Sequence, residues 1–264
     1  MLSQVMVDAH ANRVISSVKY FESQIVSEVD LIVADISARV VKELSHTRGG
    51  SRRIRNDAMA VMSVERTFES LLNASNYYPL VLALVADFSN QIDEFSTFYG
   101  EMSRNLPLPS APPFGDAVAV LSDQSAAAVV ALGGCAEQTK LRLRQFLSRS
   151  LNGSDEASFI GGVSAIVRKT SDVGTVARDQ VMLFFRLIGS LVYSQIESFG
   201  KTLRYSYAGL GGRKHREFCA LRSKGAPCTM NEIGEMDNGQ VPNVLTNGGG
   251  WGCMHWWAIE GVAE

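Results

Sequence analysis

The residue types best suited to chemistry are concentrated near the end of the chain, between Tyr205 and Ile259. This segment holds three of the four cysteines, two of the four histidines, all three tryptophans and ten of the 23 glycines. It has little apolar content, and a segment of about 55 residues of this kind usually needs a cross-link or a metal ion to fold. The pattern therefore predicts a small module that is stabilised through its cysteines and histidines.

Two short motifs supply the candidate ligands. His215 and Cys219 form an H-x3-C pair, and Cys253 and His255 form a C-x-H pair. Two thiolates and two imidazoles suit a tetrahedral Zn²⁺ site, although both spacings differ from the usual C-x2-C and H-x3-5-H pairs. We interpret Cys219, Cys253, His255 and His215 as candidate zinc ligands, with Cys228 as an alternative to His215. The residues also allow unligated buried thiols, or a Cys219–Cys253 disulfide in an oxidising exterior.

The same residue types allow a catalytic thiol. Cys253 and His255 are two residues apart, so their side chains would share one face of a strand, and Asp237 or Glu235 would be available to orient the histidine. However, the sequence contains no G-x-S-x-G, no P-loop and no G-x-G-x-x-G followed by an acid. We therefore predict that the protein is not an enzyme. A Cys/His-dependent or zinc-dependent hydrolase is the alternative.

The first 200 residues predict long helices. From Ser3 to about Ser45 the chain has neither Pro nor Gly, and apolar residues recur every three or four positions, which is helical spacing. These residues are Val14, Val18, Phe21, Ile25, Val29, Ile32, Ile36 and Val40. A helix of about 40 residues is about 60 Å long. It should therefore pack along other long helices or along a neighbouring subunit.

Further helices are predicted by the same spacing and by capping residues. They cover about 57–72, 79–104, 116–151, 155–168 and 172–203, with a kink or break at Gly133-Gly134. The basic tetrapeptide RRIR at 52–55 is interpreted as a solvated turn, and no alternating strand pattern occurs before residue 205. Strands are predicted only within 205–207, 241–245 and 255–259, and one helical turn within 231–236.

These patterns divide the chain into four segments. Residues 1–105 form a long-helix region, and 106–115 (LPLPSAPPFG) form a proline-rich elbow with four of the seven prolines. Residues 116–204 form a second helical region, and 205–264 form the small Cys/His/Trp-containing module. The predicted fold class is mainly α, an elongated bundle of long helices with a small, turn-rich α+β module at its C-terminal end.

Charge and composition limit the class of partner. The 25 basic residues against 27 acidic ones give a net charge of −2, whereas a protein that coats nucleic acid needs a clear cationic excess. Four cysteines are ordinary usage for an intracellular protein. The N-terminus has no signal-peptide pattern, and the apolar run at 79–86 is too short to cross a bilayer. We expect protein partners, incidental DNA contact at most, and no membrane association.

A string of spaced elements in the last 55 or so residues resembles a known family. The elements are Arg-Glu-Phe-Cys (216–219), Asp-Asn-Gly-Gln (237–240) and Gly-Gly-Gly-Trp-Gly-Cys-Met-His-Trp (248–256). They are similar to the C-terminal signature of tailed-bacteriophage minor head and head-morphogenesis proteins, in which an R-x-F-C segment precedes a D/N-G-Q turn and a G-G-x-N-C-R-H-x-W ending. The helix with Arg178-Asp179 also looks like the one before this signature. Met254 and Gly252 depart from the family pattern, which has Arg and often Asn there.

The resemblance implies a structural virion component that is present in few copies. Such a minor capsid, neck or head–tail connector protein would act in particle assembly or genome delivery. Its partners would be portal, capsid or connector proteins and further copies of itself in a homo-oligomer, and it would reach the virion after assembly in the host cytoplasm. Cys219, Cys253 and His255 match the signature and are carried over as a shared structural site. A zinc-stapled cytoplasmic adaptor is the second alternative.

Overall fold

A computed structural model describes residues 4–48, 51–54, 58–105, 108, 116–149, 155–168, 172–209 and 216–262. Its helices are α1 (Gln4–Leu44), α2 (Ala58–Ala74), α3 (Tyr77–Asn105), α4 (Ala117–Arg149), α5 (Glu156–Arg168), α6 (Asp172–Ser198), α7 (Glu217–Arg222), α8 (Met230–Gly234) and α9 (Val244–Asn247). Its strands are β1 (Ser45–Arg48), β2 (Ser51–Ile54), β3 (Leu203–Gly209) and β4 (His255–Val262). The chain is mainly α-helical with a small C-terminal α+β module, which confirms the predicted fold class.

The apolar stripes of the long helices form the core. In α1 the predicted stripe is buried from Val14 to Ile36, as expected for a helix that packs one face against its neighbours. In α3 the buried stripe consists of Tyr77, Val81, Leu84, Phe88, Phe95, Phe98, Tyr99 and Met102. Helical spacing therefore identified the buried face of α1.

The chain forms two compact units from segments that are separated in sequence. The first unit comprises Met1–Lys19, Val85–Ala127 and Arg178–Glu264, and the second comprises Tyr20–Leu84 and Ala128–Ala177. Helices α1, α3, α4 and α6 each contribute residues to both units. The first unit contains the whole C-terminal module, so the elements that position the candidate site belong to it.

The first unit has an aromatic core. The rings of Phe88 and Phe184 stack with centroids 4.3 Å apart, and the His10 ring stacks on Phe98 at 4.2 Å. Phe185 connects this cluster to the C-terminal module, because its ring packs edge-to-face against the Trp256 ring with centroids 5.6 Å apart. Aromatic pairs add about 0.5–1.5 kcal/mol beyond their buried area, so this packing helps to fix the module on helix α6.

The second unit adds polar links to its apolar core. The Tyr77 hydroxyl donates to the Leu132 carbonyl oxygen at 2.7 Å inside this unit. Arg144 reaches the nearly buried Glu65 with two hydrogen bonds of 2.5 and 3.0 Å. These contacts join α2, α3 and α4 within the unit.

Helix α4 differs from the prediction in one respect. Of the kink or break predicted at Gly133-Gly134, the break is wrong, because the helix is continuous through both glycines. Glycine lowers helix stability by about 1 kcal/mol, but the buried Leu132 and Ala136 on either side anchor the helix. By length and mean hydropathy (1.5) alone, Ala117–Leu147 would be able to cross a bilayer, a test that the core helices of soluble proteins also pass.

A short hairpin corrects the prediction that no strand precedes residue 205. Strands β1 and β2 pair antiparallel, with Ser45 opposite Ile54 and Arg48 opposite Ser51. Residues 52–54 of the basic tetrapeptide RRIR, which we interpreted as a solvated turn, are part of β2. Neither SHTR nor SRRI alternates apolar and polar residues, which is the strand pattern in sequence, and this explains why the sequence did not reveal them.

The C-terminal module is built on the antiparallel pair β3–β4, which confirms two of the predicted strands. A register shift between Arg204 and Tyr205 marks a bulge. The strand predicted at 241–245 is wrong, because Asn243 adopts a left-handed conformation and its side chain accepts from the Thr246 N–H, which starts helix α9 instead. Of the proline-rich elbow at 106–115, only Leu108 lies within the described residues.

Candidate functional site

Strands β3 and β4 bring an aromatic ring and an imidazole ring face to face. Side chains alternate between the two faces of a strand, and Tyr205 and Tyr207 both lie on the buried face of β3. Across the pair, Tyr207 lies opposite Trp257 and Gly209 lies opposite His255. The rings of Tyr207 and His255 stack with centroids 5.1 Å apart and planes 8° from parallel.

Cys219, Cys253 and His255 form a buried cluster beside these rings. The sulfur atoms of Cys219 and Cys253 are 3.8 Å apart, and the Cys253 sulfur is 3.7 Å from His255 Nδ1. One ligand atom from each residue lies within 4.8 Å of the others. The three residues are 4%, 5% and 6% exposed. Residues from α7, the loop before β4 and β4 itself therefore converge on one point.

The Tyr207 hydroxyl lies against both sulfur atoms. Its oxygen is 3.3 Å from Cys253 Sγ and 3.7 Å from Cys219 Sγ. Burial, with the neighbouring Cys253 as the second cause, raises the pKa of Tyr207, so the hydroxyl keeps its proton and is able to donate it in a hydrogen bond to sulfur. One feature of the sequence could have identified Tyr207. It lies two residues after Tyr205, so both side chains are on the buried face of the strand.

The Cys253 sulfur is the acceptor of the cluster. It accepts hydrogen bonds from the backbone N–H groups of Gly249 at 3.1 Å and His255 at 3.4 Å. The hydrogen bond with Cys219 lowers the pKa of Cys253, and the His255 ring adds to this effect. The same bond raises the pKa of Cys219. The two pKa values therefore shift in the directions that favour a hydrogen bond donated by Cys219 and accepted by Cys253.

A buried arginine holds the backbone on both sides of Met254. Arg186 on α6 is only 6% exposed, and its guanidinium donates to the carbonyl oxygens of His255, at 2.9 Å, and of Cys253. Buried charges are rarely tolerated without partners. A single arginine within the apolar run VMLFFRLIG could therefore have been predicted to make specific polar contacts. The sequence prediction nevertheless did not include Arg186.

Asp179 holds the residue before Cys253. Its carboxylate accepts the Gly252 N–H at 2.7 Å, and Asp179 lies about two turns along α6 from Arg186. Burial raises the pKa of Asp179, while the Gly252 hydrogen bond and the charge of Arg186 oppose that rise. The Arg178-Asp179 pair noted in the sequence thus contributes one side chain to the site.

The residues at 248–252 are here called the glycine loop. Side chains from the segments 216–219 and 237–240, which resemble the family signature, hold this loop in place. Arg216 donates to the carbonyl oxygens of Gly249, at 2.6 Å, and of Trp251. A Cβ atom at Gly249 would overlap Cys219 Sγ, so only glycine fits against this sulfur.

The Asp-Asn-Gly-Gln turn supplies the other contacts to the glycine loop. The Gln240 side-chain oxygen accepts the Trp251 N–H at 3.2 Å, and Asn238 donates to the Gly248 carbonyl oxygen at 2.8 Å. Residues 216, 238 and 240, which are far from the glycine loop in sequence, therefore all contact it.

The structure places three of the four predicted ligands together. The fourth, His215, lies outside the described residues. Cys228 is not part of the cluster, since its thiol donates to the Ala226 carbonyl oxygen and its backbone pairs with Tyr205. Among the described residues, Tyr207 is the further polar group in contact with both sulfur atoms.

The geometry also bears on the catalytic alternative. Cys253 and His255 are close enough to exchange a proton through a hydrogen bond, but both side chains are almost fully buried. Asp237 and Glu235, the two acids considered as orienting groups, are exposed. Asp237 instead accepts the Gly239 N–H within its own turn, at 2.8 Å. The arrangement is suited to holding a soft metal ion or to thiol–thiolate pairing.

Comparison with known proteins identifies no relative: no family model, no curated protein and no solved structure matches the chain.

Proposed function

We propose that the protein is a non-enzymatic structural component of a tailed-bacteriophage particle, a minor head, neck or head–tail connector protein that acts in assembly or genome delivery. The observation that carries the proposal is that the residues resembling the family signature bond to one another around the glycine loop. Residues kept for folding are expected to face each other in this way, whereas catalytic residues must face a substrate.

Burial of the cluster supports a structural role. The Cys219, Cys253 and His255 side chains are covered by Tyr207 and by the glycine loop. A substrate would have to displace Tyr207 or that loop to reach either sulfur. The loop is held by Arg216, so opening it would break several hydrogen bonds at once.

Several apolar side chains on the long helices are exposed and available for contact with other proteins. Five examples are between 53% and 74% exposed: Leu31, Leu82, Val118, Val130 and Leu141. Single exposed apolar residues also occur on monomeric proteins, so the family resemblance carries the proposal about partners. The expected partners are portal, capsid or connector proteins and further copies of the same chain, located in a virion assembled in the host cytoplasm.

The first alternative is a Cys/His-dependent or zinc-dependent hydrolase. The observation in its favour is the 3.7 Å separation of Cys253 Sγ and His255 Nδ1, the residue types of a thiol nucleophile and its base. A zinc-stapled cytoplasmic adaptor is the second alternative, and it differs from the virion component in location rather than in chemistry.

Fractionation of particles tests the proposed location. The source culture would be separated on a density gradient into tailed particles and free cytoplasmic protein, and the chain quantified in each by mass spectrometry. We expect it to sediment with the particles in few copies relative to the main capsid protein. Recovery only in the free fraction would contradict the virion role and favour the adaptor.

Replacement of Cys253 by alanine separates the structural role from the hydrolase. We expect Cys253→Ala to lower the free energy of unfolding by about 2 kcal/mol or more, because it removes a buried acceptor with several partners. The matched control is Cys228→Ala, whose thiol lies outside the cluster. A Cys253→Ala protein as stable as the control would instead point to a nucleophile.

A further inference from the structure

Two of the three separations within the cluster are those of a tetrahedral zinc site, and the third, between Cys219 Sγ and the His255 ring, lies within 4.8 Å. With Zn–S near 2.3 Å and Zn–N near 2.0–2.1 Å, tetrahedral angles give a sulfur–sulfur edge of about 3.8 Å and a sulfur–nitrogen edge of about 3.6 Å. The observed edges are 3.8 Å between Cys219 and Cys253 and 3.7 Å between Cys253 and His255 Nδ1. A disulfide would require sulfur atoms only about 2.05 Å apart.

The Tyr207 oxygen is the candidate for the fourth corner. For an oxygen ligand at 2.0–2.2 Å from zinc, the sulfur–oxygen edge is about 3.5–3.7 Å. The Tyr207 oxygen lies 3.3 Å from Cys253 Sγ and 3.7 Å from Cys219 Sγ. We propose that Cys219, Cys253 and His255 bind one zinc ion, with the Tyr207 hydroxyl at the fourth position.

The surroundings of the cluster match the charge of such a site. Two thiolates and Zn²⁺ have no net charge, and the nearby Arg186 and Asp179 are of opposite sign. The Gly249 and His255 N–H groups point at Cys253 Sγ, as hydrogen-bond donors around metal-bound thiolates commonly do. Both cysteines bind as thiolates, so binding of the ion releases their thiol protons to the solvent.

The donor set selects the metal. Thiolate and imidazole donors favour zinc among the common divalent ions, whereas calcium and magnesium require oxygen ligands. The ion would tie α7, the glycine loop and β4 together. The inference does not depend on the virion role, since an adaptor would use the same site.

Metal content of the intact chain is the first test. The full-length protein would be expressed with zinc, purified under reducing conditions, and analysed by plasma mass spectrometry. We expect about one zinc ion per chain, as for a structural site. Folded, reduced protein with less than about one tenth of this content would overturn the proposal, as would a loss of two hydrogens in the intact mass that maps to a Cys219–Cys253 disulfide.

Exchange of zinc for cobalt tests the coordination geometry and the thiolate ligands. Zinc would be removed with a chelator and Co²⁺ added to the reduced chain. We expect the strong visible absorption of tetrahedral cobalt together with thiolate-to-cobalt charge-transfer bands. Weak absorption typical of six-coordinate cobalt would overturn the proposal, and this readout does not require a variant that folds.

Variants assign the ligands against a matched control. Cys219→Ser and His255→Gln should each lose most of the metal, and Cys228→Ser should keep it, because Cys228 lies outside the cluster. Tyr207→Phe should keep the zinc but change the cobalt spectrum, since only the fourth position is altered. Equal metal content in Cys219→Ser and Cys228→Ser would exclude the assigned site.

Discussion

At the scale of single residues, the site and the core use polar groups in different ways. Arg186 is buried but has two backbone acceptors, so its charge is satisfied and it fixes the chain around Cys253. His10, also in the first unit, is 1% exposed and its ring packs among Phe95, Phe98 and Phe185. Neither of its ring nitrogens has a hydrogen-bond partner. Histidine therefore contributes here as a neutral aromatic ring.

His10 should make the fold sensitive to acid. Burial lowers the pKa of His10 from 6.5 to about 3. Because the unfolded chain binds the proton more readily, stability is fully present above pH 6.5 and falls by about 1.4 kcal/mol per pH unit below it, until the folded chain is protonated near pH 3. Urea unfolding at pH 7 and pH 5 should show a loss about 2 kcal/mol larger for the wild type than for His10→Phe. Equal losses would mean that His10 is accessible to protons in the folded chain.

At the scale of elements, one pair of adjacent glycines shows how α5 packs in the second unit. A Cβ atom at Gly162 would overlap the Phe146 ring of α4, whereas one at Gly161 would meet nothing within 4 Å. Glycine at 162 therefore allows the two helices to approach closely, and its neighbour has no such role. The sequence alone does not show which of the two glycines packs against the neighbouring helix.

Alanine at each glycine tests this packing. Gly162→Ala should lower the free energy of unfolding by about 1–3 kcal/mol, because the added methyl group overpacks the contact with Phe146. Gly161→Ala should raise it by up to about 1 kcal/mol, since alanine is the better helix former. Chemical denaturation of both variants is the measurement. Similar effects at the two positions would show that the helices are not in close contact there.

At the scale of the whole molecule, the two compact units share continuous helices. The backbone of α1, α3, α4 and α6 passes from one unit into the other without leaving the helical conformation. Unfolding one unit alone would expose the ends of four helices and break their hydrogen-bond ladders. We therefore expect the chain to unfold as one cooperative system.

Two probes can measure this cooperativity. All three tryptophans lie in the first unit, so their fluorescence reports on that unit, while far-ultraviolet circular dichroism reports on helices of both. The two urea transitions should coincide, and Gly162→Ala in the second unit should shift the tryptophan transition as well. Loss of tryptophan signal while most of the helical signal remains would contradict the expectation.

The sequence by itself determined the features that depend on local periodicity and residue type. Helical spacing of apolar residues identified the long helices and the buried stripe of α1, and the density of glycine, cysteine and tryptophan marked the C-terminal module. The i, i+2 spacing of Cys253 and His255, together with Cys219, named three residues that meet in space.

Only the tertiary structure decided the features that depend on which distant segments meet. Arg186 and Asp179 lie about 70 residues before the loop that they hold, and Tyr207 reaches the sulfur atoms through strand pairing. The continuity of α4 through its two glycines, the β1–β2 hairpin and the helical rather than extended state of 244–247 likewise arise from packing, pairing and capping. Local pattern cannot encode such contacts, because their energy comes from residues far apart in the chain.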